Sequence, residues 1–561
     1  MDQEIKQCQN CHGSFIIESE DFQFYEKIKV PPPTFCPDCR LQRRLVFRNE
    51  RSLHKDTCDL CGKSIISMYS SLKPYKVYCP PCYYSDKWNP LDYGREYNFS
   101  KPFFAQFQEL EKDVPQLGLL QENSVNSPWI NYELDDKNCY LNFGGHYNED
   151  CAYNQYALKA KNCFDNYWLM HGEFCYETIL CEKGYKVWFS KFCYDCRDTY
   201  FSFDCRNCSN VIGCSGLRHK QYHIFNQPVS KEEYEQFLKE NSLNSQKSLI
   251  SLKNKSEEFI RSQPQRALFI EKSVNSTGNN IYESKNCKLC WSAEKTEDSK
   301  YILFTLDVKD SMDTTSVWGA ELTYESFAGA EQISNLKFSH GILKGCVNIE
   351  YSHMLIGCSN CFGCSNLKSK NYHILNKEYP KDEFESLVKR IKKHMVEMPY
   401  IDQKGRVYKY GEFFPYDLSH FGYNESVANE YFLLKEDAII QKGFNSGNDE
   451  VGTQYEFSNY EIPDNIKNTQ DDILEKVLKC ETSGKAYKLI PMELQFYRRF
   501  GLPVPKLAPF ERHRLRMNFI ADHMKLNPRK CFGCNKTTES VYGEKEFPKI
   551  YCEECYMKSI Y

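Results

Sequence analysis

The sequence predicts a mainly β protein, in which a central parallel β-solenoid-like repeat region is flanked by small four-cysteine modules at both ends, with a few short helices. Three observations support this fold class. Twelve of the 29 cysteines form CxxC pairs near the two ends, cysteine recurs at every twelfth position in parts of the middle, and one segment of the middle is repeated 150 residues later. A repeat of short, fixed period is typical of stacked strand-and-turn units.

Composition and net charge limit the classes of protein to which this chain can belong. The 561 residues carry 72 basic and 76 acidic side chains, a net charge of −4, so the chain is not a uniformly cationic nucleic-acid binder. A run of about 18 apolar residues is absent, and so is a basic leader followed by an apolar stretch. We therefore expect a cytoplasmic protein without a membrane association. In a reducing compartment, so many cysteines favour metal ligation over disulfides.

Three cysteine quartets have the spacing of zinc ligands. In the first quartet, two residues separate the cysteines within each pair and twenty-four separate the pairs; in the other two quartets the pairs are seventeen residues apart. A two-residue gap lets a tight turn direct two thiolates at one tetrahedral ion, so each quartet predicts a zinc ribbon with one structural Zn²⁺. The predicted ligands are Cys8, Cys11, Cys36 and Cys39, then Cys58, Cys61, Cys79 and Cys82, and finally Cys531, Cys534, Cys552 and Cys555.

The second and third ribbons look like copies of one module, because four further positions agree in residue type. These positions are Lys63 and Lys536, Tyr69 and Tyr542, Tyr78 and Tyr551, and Tyr83 and Tyr556.

The first ribbon also carries the residues of a known family. The knuckle CQNC is followed by an aromatic FYEK stretch, a proline and the closing segment CPDCR. Over about the first 45 residues the chain resembles the bacterial family called the probable zinc-ribbon domain, and its overall plan resembles large uncharacterised zinc-ribbon proteins of metagenome-derived bacteria. The resemblance implies a bound zinc ion and no activity. The residues that carry it are Cys8, Cys11, Phe24, Tyr25, Lys27, Pro33, Cys36, Cys39 and Arg40.

Basic segments lie directly after the first quartet and before the third. In RLQRRLVFRNERSLHK, apolar residues and arginines each recur at i, i+4, which predicts a helix with one arginine face. Arginines bind phosphate bidentately and the ribbon aromatics can stack on unpaired bases, which favours RNA as a ligand. The alternative is that the arginines pair with local acids. The candidate nucleic-acid contacts are Arg40, Arg43, Arg44, Arg48, Arg51, Arg512, Arg514 and Arg516.

Cysteines in the middle of the chain recur with a twelve-residue period, and Asn142, Asn154 and Asn166 keep the same phase. We expect parallel strands with two periods per coil. The small cysteines would stack inside, and the asparagines would occupy turns with left-handed φ. The cysteines twelve residues apart form three series, namely Cys139, Cys151, Cys163 and Cys175, then Cys181, Cys193 and Cys205, and later Cys346 and Cys358.

A longer duplication ends each half of the repeat region. The segment from Cys214 to Lys239 recurs from Cys364 to Lys389, and each copy contains the motif YHIxN. A charged helix is predicted to begin near Ser230 and near Pro380, where it would cover an open end of the sheet. The histidines of the motif, which we expect to be cap residues rather than catalytic groups, are His223 and His373.

Some central cysteines also form CxxC pairs, and the run Cys358, Cys361 and Cys364 resembles three ligands of an iron–sulfur cluster. Because most of these residues keep the phase of the repeat, a buried cysteine ladder is the favoured interpretation. An additional metal site is the alternative.

The motifs divide the chain into eight segments. They are an N-terminal zinc ribbon and basic helix (1–50), a second zinc ribbon (51–100), a first solenoid half (125–227), a cap helix and linker (228–265), a second solenoid half (266–377), a cap helix (378–400), an α+β connecting region (401–500), and a basic segment with the C-terminal zinc ribbon (501–561).

No local catalytic motif is found, neither a nucleophile elbow nor a P-loop nor HExxH, so we expect no enzyme. The leading hypothesis is a zinc protein that binds RNA, in preference to DNA, or an RNA-containing particle. The second is a protein-binding assembly scaffold in which zinc is purely structural. The third is a polysaccharide-acting solenoid enzyme. Its candidate carboxylates are Asp135, Asp136, Glu149, Asp150, Asp165 and Asp195.

Overall fold

The structure, a computed structural model, describes residues 3–329, 331–447 and 456–560. Two compact units are present, and each is assembled from two separated segments. Unit 1 comprises Met1–Gly118 and Phe269–Gly447, and unit 2 comprises Leu119–Leu268 and Asn448–Tyr561. The predicted mainly β fold with four-cysteine clusters at both ends is confirmed. The division into eight segments stays a prediction.

Parallel strands that pair residues one period apart form the body of unit 2. In residues 121–224, here called the first stack, Tyr167 pairs with Ile179 and Arg197 pairs with Ser209. Each period of twelve residues therefore lies directly against the next one. The expectation of two periods per coil is wrong, because it would place paired residues two periods apart.

The chain changes direction at every third residue, which we call a corner. These corners explain why neighbouring strands pair with a register of only twelve residues. The backbone φ angles of Asp165, Trp168, His171 and Phe174 are all positive, between 54° and 58°. A left-handed φ costs an L-residue about 1–2 kcal/mol. Backbone hydrogen bonds between periods compensate, as when the amide of Asp165 donates to the carbonyl of Ala152 at 3.1 Å. Four corners per period let the chain return beside itself at the start of the next period.

Along most of the first stack, the residue after a corner points inward. Cys163, Leu169 and Cys175 are fully buried in this way, and small residues predominate at the inward positions. The thiols lie in register, since the amide of Cys163 donates to Sγ of Cys151 at 3.4 Å and the amide of Cys175 donates to Sγ of Cys163 at 3.3 Å. The predicted ladder of buried cysteines is confirmed at these positions.

Asn142, Asn154 and Asn166 do not occupy the left-handed turns expected from the sequence. They are buried at inward positions, where Nδ2 of Asn166 donates to Oδ1 of Asn154 at 2.8 Å and to the carbonyl of Cys175 at 3.2 Å. An amide can donate and accept at once, so a column of asparagines satisfies itself and the neighbouring main chain.

Unit 1 contains a second stack, residues 270–374, which belongs to a 12-stranded sheet. The register equals one period where Leu303 pairs with Thr315, and it is one residue longer where Ala320 pairs with Ile333 and Leu336 pairs with Ile349. The second stack therefore contains one-residue insertions that the first stack lacks.

Both stacks end as the duplication predicts, with the YHIxN strand followed by a short antiparallel strand and a helix. Nδ1 of His223 and Nδ1 of His373 each lie 2.8 Å from the carbonyl oxygen two residues earlier, which fits a cap residue. The terminal strands are Gln221–Ile224 and Asn371–Ile374, and the helices are Lys231–Glu240 and Lys381–Glu397.

The strands of unit 1 form small hairpins, one short parallel pair and the second stack. They are Glu4–Gln7, Ser14–Ile17, His54–Thr57, Ser64–Ser67, Val77–Tyr78, Gln116–Leu117, Ile270–Glu271, Gly278–Tyr282, Lys285–Lys288, Cys290–Glu294, Glu297–Lys309, Met312–Ala328, Ile333–Lys337, His340–Ile342, Val347–Glu350, Ser359–Phe362, Asn371–Ile374, Lys377–Glu378, Tyr400–Ile401 and Val407–Tyr408. The α-helices are Ser19–Ile28, Pro37–Leu45, Pro80–Tyr83, Phe103–Asp113, Lys381–Glu397, Ala428–Tyr431 and Glu436–Gln441.

The strands of unit 2 form the first stack and three further pairs. They are Gln121–Glu122, Trp129–Asn131, Glu133–Leu134, Tyr140–Phe143, Gln155–Leu158, Tyr167–Met170, Ile179–Glu182, Tyr185–Trp188, Arg197–Tyr200, Ser209–Ile212, Gln221–Ile224, Gln227–Pro228, Gln265–Arg266, Leu478–Lys479, Ala486–Tyr487, Asn527–Lys530, Thr537–Ser540 and Ile550–Tyr551. The α-helices are Lys231–Glu240, Gln246–Ser262, Pro491–Phe500, Pro509–Asp522 and Glu553–Ile560. Among the described helices, none is long and apolar enough to cross a bilayer.

Candidate metal centres and the arginine helices

Each predicted cysteine quartet brings its four Sγ atoms together, within 4.8 Å of one another. A Zn²⁺ ion about 2.3 Å from four tetrahedral thiolates needs neighbouring sulfurs about 3.8 Å apart. The measured spacings agree with this requirement in all three groups. They are 3.7 Å for Cys11 and Cys36, 3.9 Å for Cys61 and Cys79, and 3.8 Å for Cys534 and Cys552.

The local fold of the ribbons also suits thiolate ligands. In the first ribbon, Cys8 and Cys11 lie on the turn of a hairpin, while Cys36 directly precedes the Pro37–Leu45 helix. The amide of Cys36 donates to Sγ of Cys8 at 3.3 Å. The corresponding amide–thiol distance is also 3.3 Å in the second and third ribbons. Such N–H groups stabilise negative charge on sulfur.

Backbone hydrogen bonds shift the first thiol of two ribbons toward the thiolate. Burial acts to raise the pKa of Cys58, but the amides of Cys79 and Cys61 outweigh it and lower the pKa to about 6. The equivalent amides lower the pKa of Cys531 to about 6 against the same effect of burial. Because the thiolate is the metal ligand, these turns favour metal binding at neutral pH.

The second ribbon packs on the second stack within unit 1. Its strand Val77–Tyr78 pairs with Gln116–Leu117, and the hydroxyl of Tyr83 donates to Oδ1 of Asn366 at 2.6 Å. Asn366 lies at a corner of the stack, with φ of 58°. This contact explains why Tyr83 is only partly exposed.

The third ribbon packs on the first stack of unit 2 by the matching contacts. Its strand Ile550–Tyr551 pairs with Gln265–Arg266, and the hydroxyl of Tyr556 donates to Oδ2 of Asp204 at 2.6 Å. That hydroxyl also lies beside Gly216, the residue that corresponds to Asn366 in the duplicated segment. Tyr83 and Tyr556, counted among the base-stacking aromatics, therefore serve the packing of the ribbons.

The arginine face predicted for RNA points inward in both units. Six of the eight candidate arginines have relative exposures of 0–7 %, namely Arg40, Arg43, Arg44, Arg48, Arg512 and Arg516. Arg51 is partly buried, and the side chain of Arg514 is 44 % exposed but still paired with Glu511 at 2.8 Å. The burial of these six side chains favours the alternative that the arginines pair with acids, and contact of the eight residues with RNA stays a prediction.

In unit 1, the arginines of the Pro37–Leu45 helix pair with acids of the second stack. Arg40 and Arg44 lie 2.9 and 3.2 Å from the two carboxylate oxygens of Asp313. Arg43 lies 3.1 Å from Oε1 of Glu325. Asp313 and Glu325 are one period apart in the sequence, so they occupy equivalent positions of neighbouring periods of the stack.

In unit 2, the Pro509–Asp522 helix pairs with the first stack in the same way. Arg512 and Arg516 lie 2.8 and 3.1 Å from the two carboxylate oxygens of Asp165, and Arg516 lies 3.1 Å from Oε2 of Glu177. Asp165 and Glu177 are again one period apart, with the same order of aspartate and glutamate as in unit 1. The duplication thus includes a buried arginine–carboxylate cluster, which the sequence motifs did not reveal.

Asp165 is one of the candidate catalytic carboxylates of the polysaccharide hypothesis. Two arginines pair with it, and its side chain is fully buried. A carboxylate held in this way is not available to a substrate.

Among the described residues, the geometric groups that could hold a metal include none of the stack cysteines. They do include one group without cysteine, Glu111, His353 and His420, which the sequence did not indicate because its members are far apart in the chain. No protein-family model matches the chain, and no curated protein matches it either.

Proposed function

We propose that the protein is a non-enzymatic, zinc-binding scaffold, and that its two stacks are β-solenoid coils whose outer surfaces bind a protein partner. The single observation that carries the proposal is the pair of equivalent arginine–carboxylate clusters. In each unit the basic helix beside a ribbon is used inside the molecule, against Asp313 and Glu325 or against Asp165 and Glu177.

The role proposed for zinc is structural. Four thiolates around one ion form a closed site that leaves no position for a substrate. The ribbons are small, and a small module gains most of its folding free energy from the metal. Tyr83 and Tyr556 support this role, because each tyrosine hydrogen-bonds its ribbon to the neighbouring stack. A ribbon whose fold is maintained by zinc keeps this contact in place.

Binding of RNA through the basic segments ranks second and stays a prediction. A guanidinium group binds phosphate only when it is exposed to solvent, so an arginine that is buried in an ion pair is not available to RNA. Of the eight candidate residues, Arg514 has the most exposed side chain.

The test compares protein and RNA as partners of the full chain. Affinity for a single-stranded RNA is measured by fluorescence anisotropy from about 0.05 to 0.2 M salt, and the chain is purified from its natural host with and without RNase. The proposal predicts only weak binding of RNA, about 10⁻⁴–10⁻⁶ M, equal for wild type and for Arg51→Gln/Arg514→Gln, and a protein partner that is retained at fixed ratio after RNase. Tight, steeply salt-dependent binding that the double substitution weakens, or loss of the partner with RNase, would support the RNA hypothesis instead.

A further inference from the structure

Unit 1 also contains a cluster of titratable side chains that belong neither to the ribbons nor to the arginine helices. Glu111 belongs to the Phe103–Asp113 helix, His340 and His353 belong to the second stack, and His420 lies in the loop between two 3₁₀ turns. All four side chains are buried. His340 and His353 pair across neighbouring periods, so their rings stack with centroids 4.2 Å apart.

The carboxylate of Glu111 lies between two imidazoles. Its Oε2 atom is 2.9 Å from Nδ1 of His353 and 2.6 Å from Nε2 of His420. These three atoms all lie within 4.8 Å of one another. Two imidazole nitrogens and one carboxylate oxygen are a common ligand set for divalent transition metals.

Several polar atoms of the cluster have no hydrogen-bond partner among the described residues. They are Oε1 of Glu111, Nδ1 of His420 and both ring nitrogens of His340. Buried polar atoms are nearly always satisfied, and leaving one unpaired costs free energy. Four such atoms in one cluster indicate that something further binds there.

The charge state of the cluster suits a cation. Burial acts to raise the pKa of Glu111, but the charges and hydrogen bonds of His353 and His420 outweigh it and hold the pKa well below its usual value. Burial, together with the charges of His353 and His420, holds the pKa of His340 well below its usual value, and burial also lowers the pKa of His420. The ionised carboxylate is the form of Glu111 that can bind a cation.

Aromatic side chains surround the cluster. The ring centroids of Phe47 and Phe414 lie 5.0 and 5.1 Å from that of His340, and Tyr75 lies 5.0 Å from His420. Such a wall excludes water and lowers the local dielectric, which strengthens the binding of a cation by a carboxylate.

We infer that Glu111, His353 and His420 bind one divalent transition-metal ion, with His340, whose ring stacks on that of His353, as the candidate for a fourth ligand. This site is separate from the cysteine ribbons in both ligand chemistry and position in the chain. It is a closed centre within unit 1, and its metal is expected to be retained through dialysis.

The experiment counts metal in the full-length protein after exposure to excess Zn²⁺ and dialysis, by native mass spectrometry and elemental analysis. Wild type is expected to hold about four ions, three in the ribbons and one more. Glu111→Gln and His353→Gln should each lose one ion. The matched control is His373→Gln, because His373 is a buried histidine of the same stack outside the cluster, and it should keep the wild-type count.

A second measurement keeps the inference testable if the variants fail to fold. Co²⁺ added to metal-free wild type should give thiolate charge-transfer bands for the ribbon equivalents, and a further equivalent with visible absorption but no added charge-transfer intensity. Absence of that equivalent, or an unchanged ion count in a folded Glu111→Gln variant, would overturn the inference. The cluster would then be a carboxylate shared by hydrogen bonds between two imidazoles.

Discussion

At the scale of the residue, the buried arginines and acids depend on one another. Asp165 and Asp313 are fully buried, and each carboxylate is shared by two guanidinium groups. Taking these charges out of water is costly, and the attraction between them repays the cost only while both partners are present. The pairs therefore fix which helix packs on which stack more than they add to stability.

Substitution of Arg512 should reveal this dependence. In Arg512→Met the carboxylates of Asp165 and Glu493 lose a buried partner, so we expect the free energy of unfolding of unit 2 to fall by about 3–5 kcal/mol. The control is Arg514→Met on the same helix, whose side chain is 44 % exposed, and there we expect a loss of less than about 1 kcal/mol. Urea denaturation followed by circular dichroism measures both. Equal losses would show that the ion pairs of Arg512 are not structural.

The partners of these arginines could not be predicted from the sequence. Local spacing predicts a basic helix after Cys39, and the structure has one that ends at Leu45, before Arg48. The spacing does not indicate what the arginines of this helix contact. Asp313 is 273 residues from Arg40, and only the folded stack brings the two together. The cysteine quartets were predictable because the two ligands of each pair are close in sequence.

At the scale of the element, the stacks are built from three-residue sides. If each twelve-residue period of cysteine forms one full turn of the stack, the period predicts parallel strands that pair with a register of twelve residues. The corners themselves were not predictable, because residues such as Trp168 and Phe174 have no preference for left-handed φ. The hydrogen-bonded stack imposes that conformation on them.

Because the interior of the first stack is narrow, the loss of stability caused by a substitution at Cys163 should depend strongly on the new side chain. Cys163→Ala removes one sulfur atom and should cost about 1–2 kcal/mol, whereas Cys163→Asp buries an unpaired carboxylate and should cost more than about 3 kcal/mol. Thermal unfolding of both variants tests the difference. In the native protein, Cys163 should also resist alkylation while it reacts fully in urea, and rapid labelling of the native thiol would contradict the inward position.

At the scale of the whole molecule, each unit combines a stack with a ribbon from a distant part of the chain. Unit 1 joins the first two ribbons to the second stack, and unit 2 joins the third ribbon to the first stack. The two units repeat the same contacts, namely a tyrosine after the last ribbon cysteine and arginines on acids one period apart. A ribbon is therefore an integral part of each unit.

The most direct test is the zinc content of three matched variants. Cys11, Cys61 and Cys534 occupy the same exposed position in the three ribbons, so replacing each by serine disturbs packing little. We expect Cys11→Ser, Cys61→Ser and Cys534→Ser each to lose one zinc ion relative to wild type, measured by native mass spectrometry, and the triple variant to lose about three. A wild-type protein with fewer than about three zinc ions, or single variants with an unchanged count, would contradict the assignment of the ribbons as metal centres.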